Sequence, residues 1–451
     1  MKKNIIILSA AILMAGSCGK KLEILPTQSI EEEVVLSTDQ GVKNLLNGAY
    51  DMVSSSSVYG GDLFLYSELM ASDGELRWEG TFNQPREIWR KDILTTNAYV
   101  RDSWLDAYEA INAANNILGA LDVVNEDDRD RVKGEALFIR GSMFFELVKF
   151  FAQPYAAGNA GSAPGIPLVL EPTRTDNVST GRPRNTVQEV YTQVIADLTE
   201  SQSLLTPVGY NDEYANAAAA AAQLSRVYLQ MENYQGARDQ ANTAINLAED
   251  MGFGLAGNYA TLFNNSSNSP EDIFAIQVSA NDGANDMHLF WSIPEFGGRD
   301  GDVAILAKHL NLYDEDDNRF NLFYEDDAET IRSGKWKLQY RNLPNIRLSE
   351  LYLTRAEANF RLGTSVGATP VADITPIRAR AGLTTPGTLT LDLILKERKL
   401  ELAHEGHGLH DLKRLKRSAD GFAFNDPKMV LPIPQREVDA AKGILVQNEG
   451  Y

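Results

Sequence analysis

Apolar residues recur along this chain at helical spacing, in blocks separated by glycine-, proline- and acid-rich breaks. Behind the N-cap candidates Ser37-Thr38-Asp39, positions Val42, Leu45, Leu46 and Tyr50 predict a helix over about 40–54. Trp104, Ala107, Tyr108, Ile111 and Ala114 share one helical face, and Val132, Ala136, Ile139, Met143 and Phe144 share the next. The link Asn125-Glu126-Asp127-Asp128 makes these two an antiparallel pair. After a proline- and glycine-rich excursion over 153–172, helices are predicted at about 186–205, 216–230 and 234–249. Between the last two, Met231-Glu232-Asn233 is a short turn, and the small/large alternation around it is that of a tetratricopeptide-like repeat. Six consecutive alanines, Ala217 to Ala222, predict close helix contact. From Arg347 one stripe runs through Leu348, Tyr352, Ala356 and Phe360, and a second through Leu351, Ala358 and Leu362. Such a helix is packed on two sides.

Two stretches break this regularity. Residues 54–97 carry Tyr59, Phe64, Tyr66, Trp78, Phe82 and Trp89 among glycines and acids, and are expected to be partly loop. Residues 281–302 form a second polar, glycine-bearing loop with Phe290, Trp291 and Phe296, after a strand-like run at 271–278. The fold class that follows is mainly α, tetratricopeptide-like helix pairs with a loop-rich part.

The first 17 residues stand apart. Lys2-Lys3, an apolar run from Asn4 to Met14, and Ala15-Gly16-Ser17 before Cys18 read as a lipoprotein export signal. Its apolar run is too short for a permanent membrane span, and the chain's single cysteine stands directly after the small residues. Cys18 is therefore expected to be lipidated and to become the first mature residue. Residues 18–36 make a tether, and 37–451 a single domain with long inserted loops.

Of 451 residues, 43% are apolar, enough for a large core, and the formal charge is −20. That balance leaves no basic surplus to displace counterions, so nucleic acid is not an expected partner.

Catalytic and metal motifs fit poorly. His404, His407 and His410 have three-residue spacing, and His404-Glu405-Gly406-His407 misses the zinc-protease pattern by one residue. They are expected to pack at a helix end. Asp314 to Asp317 lacks the alternating ligands and glycine of a calcium loop and is expected to be solvated. Neither a nucleophile elbow nor a phosphate-cradling loop is present. Arg355, Glu357, Arg398, Glu401 and Glu405 are expected to form a buried charge network between helices. No enzyme, metal or cofactor is predicted.

Carbohydrate binding needs flat aromatic faces for the apolar side of a sugar ring, flanked by groups that satisfy its hydroxyls. Both irregular stretches offer this. One holds Asp73, Glu75, Arg77, Trp78, Glu79 and Phe82; the other holds Asn285, Trp291, Glu295, Phe296, Arg299 and Asp300. Trp78 and Trp291 are the leading stacking platforms on this reading.

Several strings together resemble the SusD/RagB family of outer-membrane nutrient-binding lipoproteins of the Bacteroidetes type. They include Arg347-Leu348-Ser349-Glu350, Arg355-Ala356-Glu357-Ala358, Ile377-Arg378-Ala379-Arg380-Ala381-Gly382-Leu383 and Glu401-Leu402-Ala403-His404-Glu405-Gly406-His407. Asp411-Leu412-Lys413-Arg414, Leu431-Pro432-Ile433-Pro434-Gln435 and the terminal Gln447-Asn448-Glu449-Gly450-Tyr451 continue the match, as do Trp104–Asn115, Glu135–Gly141 and Gly165-Ile166-Pro167-Leu168 in the N-terminal half. The resemblance implies a SusD-like α/α superhelix on which loops carry the ligand site, and a lipid anchor in the outer membrane facing the cell surface. It also implies a partner, a SusC-type TonB-dependent transporter over which the protein sits as a lid. Asp73 and Arg341 occupy positions where the family often places ligand contacts. The expected function is capture of glycans and their delivery to that transporter, with ligand contacts at Asp73, Trp78, Phe82, Trp291, Phe296 and Arg341. Alternatives are the same fold and partner with a peptide ligand, as on the RagB side of the family, or a helical-repeat scaffold for protein partners.

Overall fold

The computed structural model describes residues 34–173, 181–206, 213–281, 283 and 285–451. The export signal, Cys18 and most of the tether lie outside the described residues.

A run of packed helices forms the larger part. It starts with α1 (Asp39–Ser54), whose N-cap Thr38 accepts from the Gly41 amide, and α2 (Asp62–Met70). It continues through α3 (Ala98–Gly119) and α4 (Glu126–Phe151). Residues 126–128 belong to the first turn of α4 rather than to the connecting loop, because three acids there suit the positive end of the helix dipole. Next come α5 (Val187–Leu204), closed by a Thr186/Glu189 capping box, α6 (Ala217–Gln230) and α7 (Tyr234–Met251). In order, α1 packs on α3, α3 on α4, α4 on α5, α5 on α6 and α6 on α7. All six alanines of 217–222 are buried, so α6 approaches its neighbours closely, as the sequence indicates.

The helical run then receives α8 (Asp286–Trp291), α9 (Leu348–Leu362), α10 (Pro370–Arg380), α11 (Leu391–Glu401) and α12 (Gly408–Arg414). Helix α9 packs on α7 on one side and on α10 and α11 on the other. Nearly every residue from Leu348 to Asn359 is buried, whereas Phe360 and Leu362 at its end face outward.

Among the described residues, three two-stranded antiparallel sheets hold the irregular part. β1 (Leu76–Trp78) pairs with β3 (Val303–Ile305), β2 (Asp272–Ile276) with β6 (Leu343–Arg347), and β4 (Phe323–Glu325) with β5 (Ile331–Ser333). Between them, Val42 near the start and Leu445 near the end belong to one contiguous core.

The expected charge network exists and is larger than the sequence suggests. Arg347 bonds Glu271 (3.1 Å), Glu401 (3.2 Å) and Glu405 (2.7 Å), and Arg380 reaches both Glu271 and Glu401. Arg355 pairs instead with Asp373 at 2.6 Å, and Glu357 with Arg414 at 2.7 Å. Asp317 corrects the expectation of a wholly solvated acidic loop: it is buried, paired with Arg319 at 2.7 Å, and Arg319 continues to Glu397.

Candidate functional site

The two irregular stretches meet in space. Strand β1 is the middle of the first, and β3 follows directly on the second; their register sets Trp78 opposite Val303 and Leu76 opposite Ile305. Beyond the strands the backbone continues the stitching, with the Glu79 amide donating to Asp302 (2.8 Å) and the Asp302 amide to Phe290 (2.8 Å). Arg299 closes the junction. Its guanidinium donates to the carboxylate of Asp302 and the hydroxyl of Thr81, and lies over the Phe82 ring with Cζ 3.9 Å from the centroid. A planar guanidinium suits this task because it stacks by its face while donating from its edge.

Alongside lies a second aromatic group. Phe296 meets Tyr324 edge-on at 5.6 Å, and the Lys337 ammonium sits 4.4 Å from the Phe296 centroid and 3.8 Å from that of Tyr324. Arg332 ties this group to the first, bonding Glu79 at 3.1 Å and Asp326 at 2.8 Å. Phe82 is 37% exposed, enough to offer ring surface, and Phe296 and Tyr324 are half-buried. Partial burial pushes the Tyr324 phenol up to about 12 and depresses Lys337, so at neutral pH the tyrosine is an uncharged hydroxyl. The surface is therefore aromatic, with Glu79, Glu295 and Asp300 as acceptors and Arg299 and Lys337 as donors.

The structure corrects three of the expected ligand contacts. Trp78 is a strand residue 3% exposed, its indole donating to the Phe82 carbonyl at 3.2 Å and its ring set edge-on to Phe290. Trp291 is fully buried at the end of α8, against the His404 ring at 4.8 Å. Their surroundings look like loop in the sequence, but a short strand and a six-residue helix carry both into the core. Arg341 is buried too, donating to the Leu262 carbonyl at 2.6 Å and the Asn342 carbonyl at 3.1 Å between Phe263 and Trp336. Trp78 backs the surface through Phe290, whose ring meets Phe82 edge-on at 6.1 Å. Asp73 is half-exposed, with a left-handed backbone (φ 41), but its carboxylate holds Lys308 at 2.6 Å and accepts the Asp420 amide, on the other side of β1 from Thr81 and Phe82.

Of the expected contacts, Phe82 is exposed and Phe296 half-exposed. Beside Phe296 the structure adds Tyr324 and Lys337, which the sequence reading does not include. The adjacent aromatics Phe323-Tyr324, which a strand would turn to opposite faces, were the signal that could have found the tyrosine.

The three histidines point to separate neighbours. His404 stacks on Trp291 and on His309 (4.8 Å), His410 meets Phe150 at 4.8 Å, and His407 lies 3.8 Å from Glu350. Burial keeps all of them uncharged at neutral pH, drawing His407 down to about 4. Among the described residues no three metal-ligating side chains converge, and no helix is long and apolar enough to cross a membrane.

Comparison with known proteins agrees with this architecture. Residues 22–229 match a family described as starch-binding and associating with the outer membrane, and residues 324–426 match the SusD family. SusD-like protein P2 of Formosa agariphila is 23% identical, the alignment covering 100% of both chains. A candidate sugar-binding protein of Bacteroides vulgatus superposes with a TM-score of 0.82 at 29% identity, over 92% of this chain and 99% of its own. A SusD superfamily protein of Bacteroides thetaiotaomicron gives 0.81 at 26%, over 91% and 99%. With matches to the family in both halves of the chain and the same helical architecture over nine-tenths of it, the chain belongs to the SusD/RagB family.

Proposed function

We propose that the protein captures glycans on the Phe82–Phe296 surface and passes them to a SusC-type TonB-dependent transporter, held to the outer membrane by a lipid on Cys18. The observation that carries the reading is the junction of two loops more than two hundred residues apart in sequence, closed by Arg299. It presents aromatic rings beside carboxylates and cations, the combination that holds a sugar ring by its apolar face and its hydroxyls together. A similar structure described as a candidate sugar-binding protein and a matched family described as starch-binding support the ligand class. Binding is by stacking and hydrogen bonds, without bond cleavage.

A glycan array set beside a peptide library tests the ligand class. Enrichment of oligosaccharides, lost in Phe82→Ala with Tyr324→Ala, is the expected result; enrichment of peptides alone would move the protein to the RagB side of the family. Co-purification of a large β-barrel from the native membrane tests the partner, whereas recovery of a soluble protein alone would favour the scaffold reading.

A further inference from the structure

Helices α2 and α8 meet at their first residues. The Asp286 amide donates to the Gly60 carbonyl at 3.0 Å, and the adjoining Gly61 has a backbone (φ 145) that glycine alone adopts readily. A Cβ on Gly61 would lie 2.8 Å from that of Asp286, so this glycine lets the two segments close. The contact sets Asp62, the first residue of α2, beside Asp286, the first of α8, with the two carboxyl groups within hydrogen-bond reach of each other.

Two ionised carboxylates cannot bond each other, since each only accepts. Asp62 is 4% exposed; its Oδ2 accepts the Tyr66 hydroxyl at 2.9 Å, whereas its Oδ1 has no donor among the described residues. No cation stands within ion-pair distance of either acid among the described residues. The charged groups that face the pair are themselves acids: Asp102 on α3, already paired with Arg101 at 2.7 Å, and Asp51, Asp106 and Glu109, which line an open groove with Asp286. Asp106 takes its hydrogen bonds from Ser55 (2.8 Å) and Ser57. Tyr99 of α3 also faces the pair, its phenol pushed up to about 12 by burial and so uncharged. Arg299 is turned to Asp302, Thr81 and Phe82, and His288, the other titratable side chain of α8, to the Trp336 carbonyl at 2.9 Å. A proton on one carboxyl is the remaining donor for Asp62 Oδ1.

We propose that Asp62 and Asp286 share one proton, and that this proton is a pH-sensitive latch holding α8 on α2. Burial, and then the charge of its neighbour, raise Asp62 well above the ordinary carboxylate range, and burial raises Asp286 to about 6. A carboxyl raised in the closed state binds its proton more tightly there than when the helices part. Closure is therefore most favoured at acid pH and weakens as pH rises from about 4. Asp286 lines the open groove, so the proton leaves to water. What the latch holds is the second loop: the α8 carbonyls of Leu289 and Phe290 accept the amides of Arg299 (2.9 Å) and Asp302 (2.8 Å), and the Phe290 ring meets Phe82 edge-on at 6.1 Å. Rising pH loosens the element from which Arg299 and Phe296 hang. The latch stands on this contact and does not require the surface to bind glycan.

Amide hydrogen exchange of the full chain, followed across 285–292 between pH 5 and 8 and corrected for the intrinsic rate, tests it. Protection of α8 is expected to fall at least about tenfold between pH 5 and 7, since one proton released on opening gives tenfold per pH unit, with buried α6 as the reference. Asp62→Asn supplies a permanent amide donor to Asp286 and keeps an oxygen for Tyr66, so its profile should stay flat. Asp286→Asn, whose amide reaches Asp62 Oδ1, should be shallower than the parent as well, and serves if Asp62→Asn does not fold. The proposal is overturned if α8 protection in the parent does not fall with pH, or if a folded variant loses it as steeply as the parent. A falling profile in the parent and a flat one in Asp62→Asn, with no oligosaccharide bound at any pH, would sink the reading of the surface and leave the latch standing.

Discussion

The guanidinium of Arg299 lies 3.9 Å above the ring of Phe82 while bonding Asp302 and Thr81, so one side chain both shapes the exposed surface and locks its two loops together. Arg299→Ala should therefore lower oligosaccharide affinity about tenfold, or ~1.4 kcal/mol, because Phe82 and Thr81 lose the group that holds them in place. Arg299→Lys should restore little, because an ammonium neither lies flat on the ring nor donates in two directions from one plane. Calorimetric titration of the three proteins with the same oligosaccharide checks this; full rescue by lysine would show that charge alone is at work.

Trp291 and Trp78 separate a wall from a contact. Both are buried, so truncation to alanine should cost about 3–5 kcal/mol of stability each through lost packing. Phe82→Ala, at an exposed position, should leave the unfolding midpoint nearly unchanged and reduce binding. Thermal melts run beside binding isotherms distinguish the two classes. A Trp291→Ala protein with unaltered melting and lost affinity would return that residue to the binding surface.

The helical run was legible because its periodicity is local: Val42 through Tyr50, or Ala237 through Ile245, announce a buried face within a few turns, and the helices fall where that face predicts. The two loop regions were legible as a pair of unusual composition, and they do meet. Which aromatic faces outward was not legible. Trp78 and Phe82 are four residues apart in similar surroundings, yet pairing of β1 with a strand 225 positions later buries one and leaves the other exposed. Nor was the stop of α11 at Glu401 legible, before the first of the three histidines. Gly406 takes a left-handed backbone, and Phe64 packs so close that a Cβ there would lie 2.4 Å from its ring.

Arg398 is buried and bonds Asp411 (2.8 Å), Thr354 (3.1 Å) and Glu350 (3.5 Å), joining α11 to α9 and α12. Arg398→Ala should destabilise the protein by about 3 kcal/mol, at the low end for breaking a buried network, because Asp411 keeps Arg414 and Glu350 keeps Arg226. Arg347→Ala should cost more, since it touches three carboxylates at once. Denaturant unfolding of both variants checks the order; equal midpoints to the parent for Arg398→Ala would remove it from the network's energetics.

Glu68 gives the last prediction its sign. Burial raises its carboxyl from 4.5 to about 7, partly countered by the Gly408 and Gly406 amides. The folded state then holds a proton that the unfolded state has already released, so this group's contribution is full below about pH 4.5, falls as pH rises to about 7, and is flat above. The loss is on the order of 3 kcal/mol. Glu68→Gln keeps an amide-accepting oxygen without an ionisable group, so its unfolding midpoint should decline less between pH 4.5 and 7 than the parent's. Asp272 and Asp286, both raised to about 6, preserve part of the decline in the variant. Below pH 4.5 the sign reverses: Glu405 is held down at about 2 by Arg347 and Lys335 against its burial, so its stabilisation is lost as pH falls toward 2 in both proteins. Melting curves across pH 2–8 should therefore coincide on the acid limb and separate on the neutral one, and parallel curves throughout would show that Glu68 titrates normally.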